Sequence, residues 1–212
     1  MIMKTLKTGA AGLALCLACN VQAAVIFQDN FDAENGGMGA LNYDGFTNWD
    51  VNDGTVDLIG NGYFDFLPGN GLYVDLDGST GNAGFLTHWE SLAIGDYTIS
   101  FDLAGNQRNG SPELTVANVG IFFGDGVAAQ DYISLSQNDG FQTFSLDFSV
   151  TNAWVGQSAE VRFDFGGVGG DNIGMLLDNV ELATRSVPEP ASIALLGLGL
   201  AGFGFARRAK KA

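Results

Sequence analysis

Tyr97-Thr98-Ile99-Ser100-Phe101-Asp102-Leu103 alternates apolar and polar side chains without a break. Successive side chains of an extended chain point to opposite faces, so this stretch reads as a strand with one buried face and one wet face. The same period recurs at residues 141–148, Phe-Gln-Thr-Phe-Ser-Leu-Asp-Phe, and at Val161-Arg162-Phe163-Asp164-Phe165. Working outward, strands are expected at 25–29, 47–51, 55–59, 72–76, 84–89, 113–123, 131–136 and 174–183. Turn strings such as Asn52-Asp53-Gly54, Gly69-Asn70-Gly71 and Asn138-Asp139-Gly140 separate them. Glycine supplies 31 of 212 residues, about twice its ordinary share of about 7%. No long helical period appears between the two chain ends. Around eleven short strands with turn-rich links predict an all-β sandwich, a jelly roll.

The two ends belong to a different kind of sequence. Lys4 and Lys7, an apolar run over 9–18 and the small-residue site Val21-Gln22-Ala23 read as a signal peptide over 1–23, removed by signal peptidase. The mature chain then starts at Ala24 or Val25. Cys19, after Leu17-Ala18, leaves a lipid-attached start as the alternative, although the residues before it fit an attachment box poorly. Both cysteines, Cys16 and Cys19, fall in this removable segment. No disulfide is therefore available to the exported domain, even in an oxidising compartment.

At the other end Val187-Pro188-Glu189-Pro190 precedes an apolar run over 191–206, and Arg207, Arg208, Lys210 and Lys211 follow. Sixteen residues in a helix reach about 24 Å, short of a hydrocarbon core of about 30 Å. A buried helix is the alternative reading. Four cations among the last six residues belong instead at a cytoplasmic membrane face. Gly197, Gly199, Gly202 and Gly204 weaken the helix outside lipid, at roughly 1 kcal/mol each. A short, weak transmembrane helix suits a temporary stop. This three-part tail resembles the PEP-CTERM sorting signal of Gram-negative bacteria. The resemblance implies that an exosortase-type protease-transpeptidase cuts near Pro188-Glu189-Pro190 after transient insertion in the inner membrane. It further implies release to the cell surface or extracellular matrix, where such systems serve exopolysaccharide and biofilm formation. The expected organisation is a signal peptide over 1–23, a sandwich over 24–186 and a sorting signal over 187–212.

Charge is concentrated by this division. Six of the nine basic residues lie in the two ends, which leaves three against 23 acidic residues over 24–187, a formal net of −20. Phosphate recognition needs clustered Lys and Arg, so nucleic acid is excluded as a partner. A domain this acidic repels itself unless cations or salt offset the charge. Metal binding and plain solubility outside the cell both account for it.

Asp29-Asn30-Phe31-Asp32 opens the mature chain, Asn48-Trp49 and Gly54-Thr55-Val56-Asp57-Leu58-Ile59 follow, and Leu176-Leu177-Asp178-Asn179-Val180-Glu181-Leu182 closes it. This opening and ending resemble those of galactose-binding-like jelly rolls, which include many carbohydrate-binding modules. The resemblance implies that the first and last strands lie together and that an acidic pair there, by position Asp32 and Asp178, holds a structural calcium. Calcium suits carboxylate and carbonyl oxygen at about 2.3–2.6 Å; a strand-end carboxylate is the other reading of Asp178. Two further strings look like calcium loops. Residues 166–174, Gly-Gly-Val-Gly-Gly-Asp-Asn-Ile-Gly, match a β-roll nonapeptide, but one copy has no neighbour to stack on. Asp75-Leu76-Asp77-Gly78-Ser79 starts correctly, yet Thr80 stands where glycine is required and Leu86 where an acid is. Both read as turns.

Catalysis finds little footing. His88 is the single histidine and sits in an apolar strand pattern beside Trp89, no Gly-x-Ser-x-Gly string occurs, and 23 acids make a carboxylate pair inevitable by chance. Among the aromatics Trp49 and Trp89 read as core, because burial in a sandwich removes about 150–250 Å² each from water. Trp154, before Gly156, is the candidate for stacking on a sugar ring. The reading is a non-enzymatic surface protein associating with exopolysaccharide. A structural protein without ligand is the alternative, and an enzyme acting on polysaccharide ranks third.

Overall fold

The computed structural model describes residues 23–108, 115–165 and 171–185. The expected signal peptide up to residue 22, the Val187-Pro188-Glu189-Pro190 motif, the expected transmembrane helix over 191–206, the basic tip from Arg207 to Lys211 and the start of the glycine-rich string, 166–170, lie outside these residues. Eleven strands are described: β1 (Val25–Asp29), β2 (Asp50–Asn52), β3 (Asp57–Gly60), β4 (Leu72–Asp75), β5 (Phe85–Glu90), β6 (Gly95–Ala104), β7 (Thr115–Phe123), β8 (Gly126–Leu135), β9 (Gln142–Val150), β10 (Ala159–Phe165) and β11 (Leu176–Thr184). A single 3-10 turn, Glu34–Gly37, is the helical element among the described residues.

The strands form two antiparallel sheets. One runs β3-β4-β11-β6-β9, with β1 also paired to β11, and the other runs β2-β5-β10-β7-β8. This is the expected jelly-roll sandwich. The first and last strands are neighbours, Phe27 opposite Leu182 and Asp29 opposite Val180.

Alternation builds the core. Ile99, Phe101 and Leu103 of β6 face Val119, Ile121, Val161 and Phe163 of the other sheet in one cluster. Phe101 meets Phe163 edge-on at 5.0 Å, and Phe163 meets Trp49 edge-on at 5.7 Å. β3 and β4 are buried along their whole length instead of alternating. Leu58 and Val74 face the main core, whereas Ile59 and Tyr73 face a smaller cluster with Ala104 and Leu176, packed against Phe66, Leu67 and Phe141. A strand covered on both faces reads as a continuous apolar run.

The two largest shifts from the expected strands each have a local reason. β2 starts at Asp50, later than expected, because the preceding stretch is held by side chains: Thr47 donates its amide to the Glu34 carboxylate at 3.0 Å, and the Trp49 indole donates to Asp29 at 3.0 Å. β8 starts at Gly126, earlier than expected. Its first half, Val127-Ala128-Ala129-Gln130-Asp131, carries no clean period and contains a register shift opposite Ile121 and Phe122.

The three basic residues of the domain are all ion-paired: Arg108 with Asp75 at 2.9 Å, Arg162 with Asp164 at 3.2 Å and Arg185 with Asp147 at 3.0 Å. Among the described residues most of the acidic side chains have no Lys or Arg partner.

Candidate functional site

The outer face of the five-stranded sheet follows from its register. Leu86, Val161, Val119 and Ile121 point into the core, so the residues between them point out. Cross-strand partners share a face, which lines up three rows. Asn52, Phe85, Asp164, Asn118 and Tyr132 form one, and Asp50, Thr87, Arg162, Gly120 and Gln130 the next. Trp89, Glu160, Phe122 and Val127 form the third.

Polar groups on this face are tied to one another. Gln130 donates to Asn118 Oδ1 at 2.8 Å, and Asn52 donates to Thr87 Oγ1 at 3.0 Å. The Arg162 guanidinium lies 3.7 Å over the Phe85 ring and donates to Asp164 at 3.2 Å. Burial raises the Asp164 carboxyl above its ordinary range, with Arg162 pulling it down and Asp53 pushing it further up. A Cβ at Gly120 would meet the Phe122 ring as it now lies. Its absence lets that ring lie across the sheet. Trp89 and Tyr132 remain open, 53% and 63% exposed. The chemistry available is flat aromatic surface beside fixed amide, carboxylate and guanidinium groups.

Trp89 therefore departs from the core placement expected of it. The signal was present in Leu86-Thr87-His88-Trp89, because a strand that turns Leu86 inward must turn Trp89 outward. Trp49 is buried as expected. Trp154 is half-buried, its ring parallel to Phe123 at 5.0 Å, so one of its faces is already covered. His88 stacks on Phe27 at 3.8 Å, and its Nδ1 donates to the Asn48 carbonyl at 2.8 Å. That is a packing role, as expected.

Asp32 follows β1 and Asp178 lies on β11, an inner strand of the six-stranded sheet, with the Asp32 charge close enough to act on the Asp178 carboxyl. Asp178 is 2% exposed and takes the Asn179 amide at 2.7 Å. Burial pushes its carboxyl up to about 7; the Asn179 amide opposes this, and Asp32, Asp102 and Asp29 add to it. Asp32 accepts from the Leu72 amide and from Asn30, both at 2.8 Å. Asp102, opposite Asp178, accepts from Thr143 at 2.6 Å and from Asn179 at 2.9 Å. The donor chemistry is all oxygen and suits calcium in kind. Among the described residues, however, no group of three or more His, Cys, Asp or Glu side chains is placed to hold a metal ion. A cation at Asp32 and Asp178 would take its remaining ligands from main chain or water.

Residues 186–208 match the PEP-CTERM protein-sorting motif. The match spans 23 residues and shows that the chain carries this sorting motif after the sandwich domain. No match is found among curated proteins. In fold the domain is similar to a cyclase from Fischerella sp. TAU, with 18% identity, TM-score 0.57 and 77% of this chain aligned to 98% of that one. A Stig cyclase from the same organism aligns at 16% identity and TM-score 0.55, over 78% of this chain and all of that one. At such identity the likeness speaks to fold alone. A xylan-binding domain from Paenibacillus barcinonensis covers 78% of this chain and 97% of its own at 10% identity, with a TM-score of 0.44, too loose to support an argument.

Proposed function

We propose that this protein is a non-catalytic surface protein that associates with exopolysaccharide through the outer face of its five-stranded sheet. The observation that carries this reading is the pairing of open aromatic rings, Trp89 and Tyr132, with side-chain amides and Arg162 on one strand-built face. Aromatic rings present large, rigid area at low entropic cost, and the neighbouring polar groups can orient sugar hydroxyls. The sorting motif supports the location at which such a ligand is met. Calcium at Asp32 and Asp178 is a structural component of the proposal: it would offset a buried carboxylate and join the first strand to the last.

Glycan-array binding of the full chain in detergent tests this. Trp89→Ala with Tyr132→Ala is expected to weaken binding about thirtyfold, taking about 1 kcal/mol for each contact residue. Trp154→Ala should change it far less. Equal binding by the double variant would remove the face from the account. Failure of every glycan would favour a structural protein without ligand, and release of reducing ends would make the protein an enzyme.

A further inference from the structure

The two strings that read as isolated turns in the sequence meet in the fold. Leu176 of β11 pairs with Asp75 of β4, and the Leu76 amide donates to the Met175 carbonyl at 3.0 Å. Asp75-Leu76-Asp77 and Asp171-Asn172-Ile173-Gly174 are thereby packed together at one end of the six-stranded sheet. Contact is close enough to require glycine at position 174, where a Cβ would stand 2.2 Å from Asp75 Oδ1 and 2.3 Å from the Asp77 amide nitrogen.

Every donor of the first turn is committed elsewhere. The Asp77 amide goes to Asp75 at 3.1 Å, the Gly78 amide to Thr55 at 2.8 Å, and the Ser79 amide and hydroxyl to Asp57 at 3.1 and 2.7 Å. Arg108 donates to Asp75 at 2.9 Å. Asp77 is left with 0% exposure and, among the described residues, no donor to either carboxylate oxygen. The facing group is a second carboxylate, Asp171, whose Oδ1 accepts the Ile173 amide at 3.1 Å. That amide also favours the charged form of Asp77.

A buried, unpartnered carboxylate beside another carboxylate is costly unless a proton or a cation compensates it. One proton shared with Asp171 would engage one Asp77 oxygen and leave the other orphaned. A cation engages both. We propose that Asp77 and Asp171 hold a calcium ion, with main-chain oxygens and water completing the set. Hard oxygen donors select calcium over softer-ligand metals, and a site with two carboxylates suits the weak affinities of extracellular modules, about 10⁻⁴–10⁻³ M. The burial that leaves Asp77 unpartnered also pushes its carboxyl up to about 6, with Asp171 as the next cause. This site is separate from the Asp32 and Asp178 pair. In the β4–β11 register Leu176 pairs with Asp75 and Leu177 with Val74, so the chain runs away from Asp77 toward Asp178.

Calorimetric titration of the chelated full chain in detergent with calcium chloride, at fixed high ionic strength, tests the proposal alongside thermal melts. Calcium should raise the melting temperature of the wild type by roughly 3–6 °C. Asp77→Asn should raise the metal-free melting temperature, because a buried charge is gone, and should remove one ion from the stoichiometry. Asp171→Asn, at a half-exposed position, should remove the same ion without depending on how the buried variant folds. Asp178→Asn should leave that ion in place, which separates this site from the Asp32 and Asp178 pair. Unchanged stoichiometry in both the Asp77 and Asp171 variants would overturn the proposal. So would a wild type that answers to pH and not to calcium, since a shared proton would then be the compensation.

Discussion

With metal chelated, the folded protein should melt roughly 10 °C lower at pH 8 than at pH 5. Three buried carboxyls set this slope. Asp178 is pushed up to about 7 by burial, facing Asp32, Asp102 and Asp29. Asp77 is pushed up to about 6 by burial, facing Asp171 and, with opposite sign, Arg108. Asp75 is pushed up to about 8 by burial, against Arg108 and with Asp57 and Asp77 adding to the rise. Each ionises near 3.8 when unfolded. The folded state therefore binds protons more tightly than the unfolded state through the window from about 4 to 8. Stability is fully present below that window and is lost as pH rises through it. A few kcal/mol of linkage gives a shift of this size for a domain of this length. Melts at fixed ionic strength check it, and a melting temperature flat between pH 5 and 8 would mean that Arg108 and neighbouring amides already hold these groups ionised.

Phe163→Ala should be the most damaging single substitution in the core, costing about 3–5 kcal/mol. Phe163 lies in the middle strand of its sheet, fully buried, with Phe101 from the opposite sheet and Trp49 both set edge-on to it. Truncation removes contacts to both layers at once and leaves a cavity the rigid sheets cannot close. Trp89→Ala, on the open face of the neighbouring strand, should stay within about 0.5 kcal/mol. Denaturant unfolding with an unchanged slope distinguishes the two. A loss below about 1 kcal/mol at Phe163 would mean that the sheets close over the gap.

The strands were legible because one-sided burial writes a period of two into the sequence, as in β6, β9 and β10. β3 and β4 were legible for the opposite reason, as short apolar runs buried on both faces. The edge strand β8 was only half legible, since a register shift breaks the period over Val127-Ala128-Ala129 and little is buried there to restore it. Of the candidate face, Trp89 and Tyr132 could have been read outward from the inward positions of Leu86, Ile133 and Leu135. Composition alone, which favours burying tryptophan, points the wrong way. The meeting of Asp77 with Asp171 was not legible. It depends on β4 and β11 being neighbours across about 100 residues of sequence, and neither string is complete as a metal loop by itself.

Sorting and polysaccharide association are tested together by one measurement. Washed surface polysaccharide from the native host would be analysed by quantitative mass spectrometry, with wild-type protein and with Glu189→Ala. The wild type should yield peptides starting near Ala24 and covering the sandwich, with nothing from 203–212. The Glu189 variant, lacking the only charge of the processing motif, should be absent from this fraction and retained in the inner membrane with its tail. Recovery of residues 203–212 in the wild-type surface material, or equal recovery of the variant there, would contradict the account.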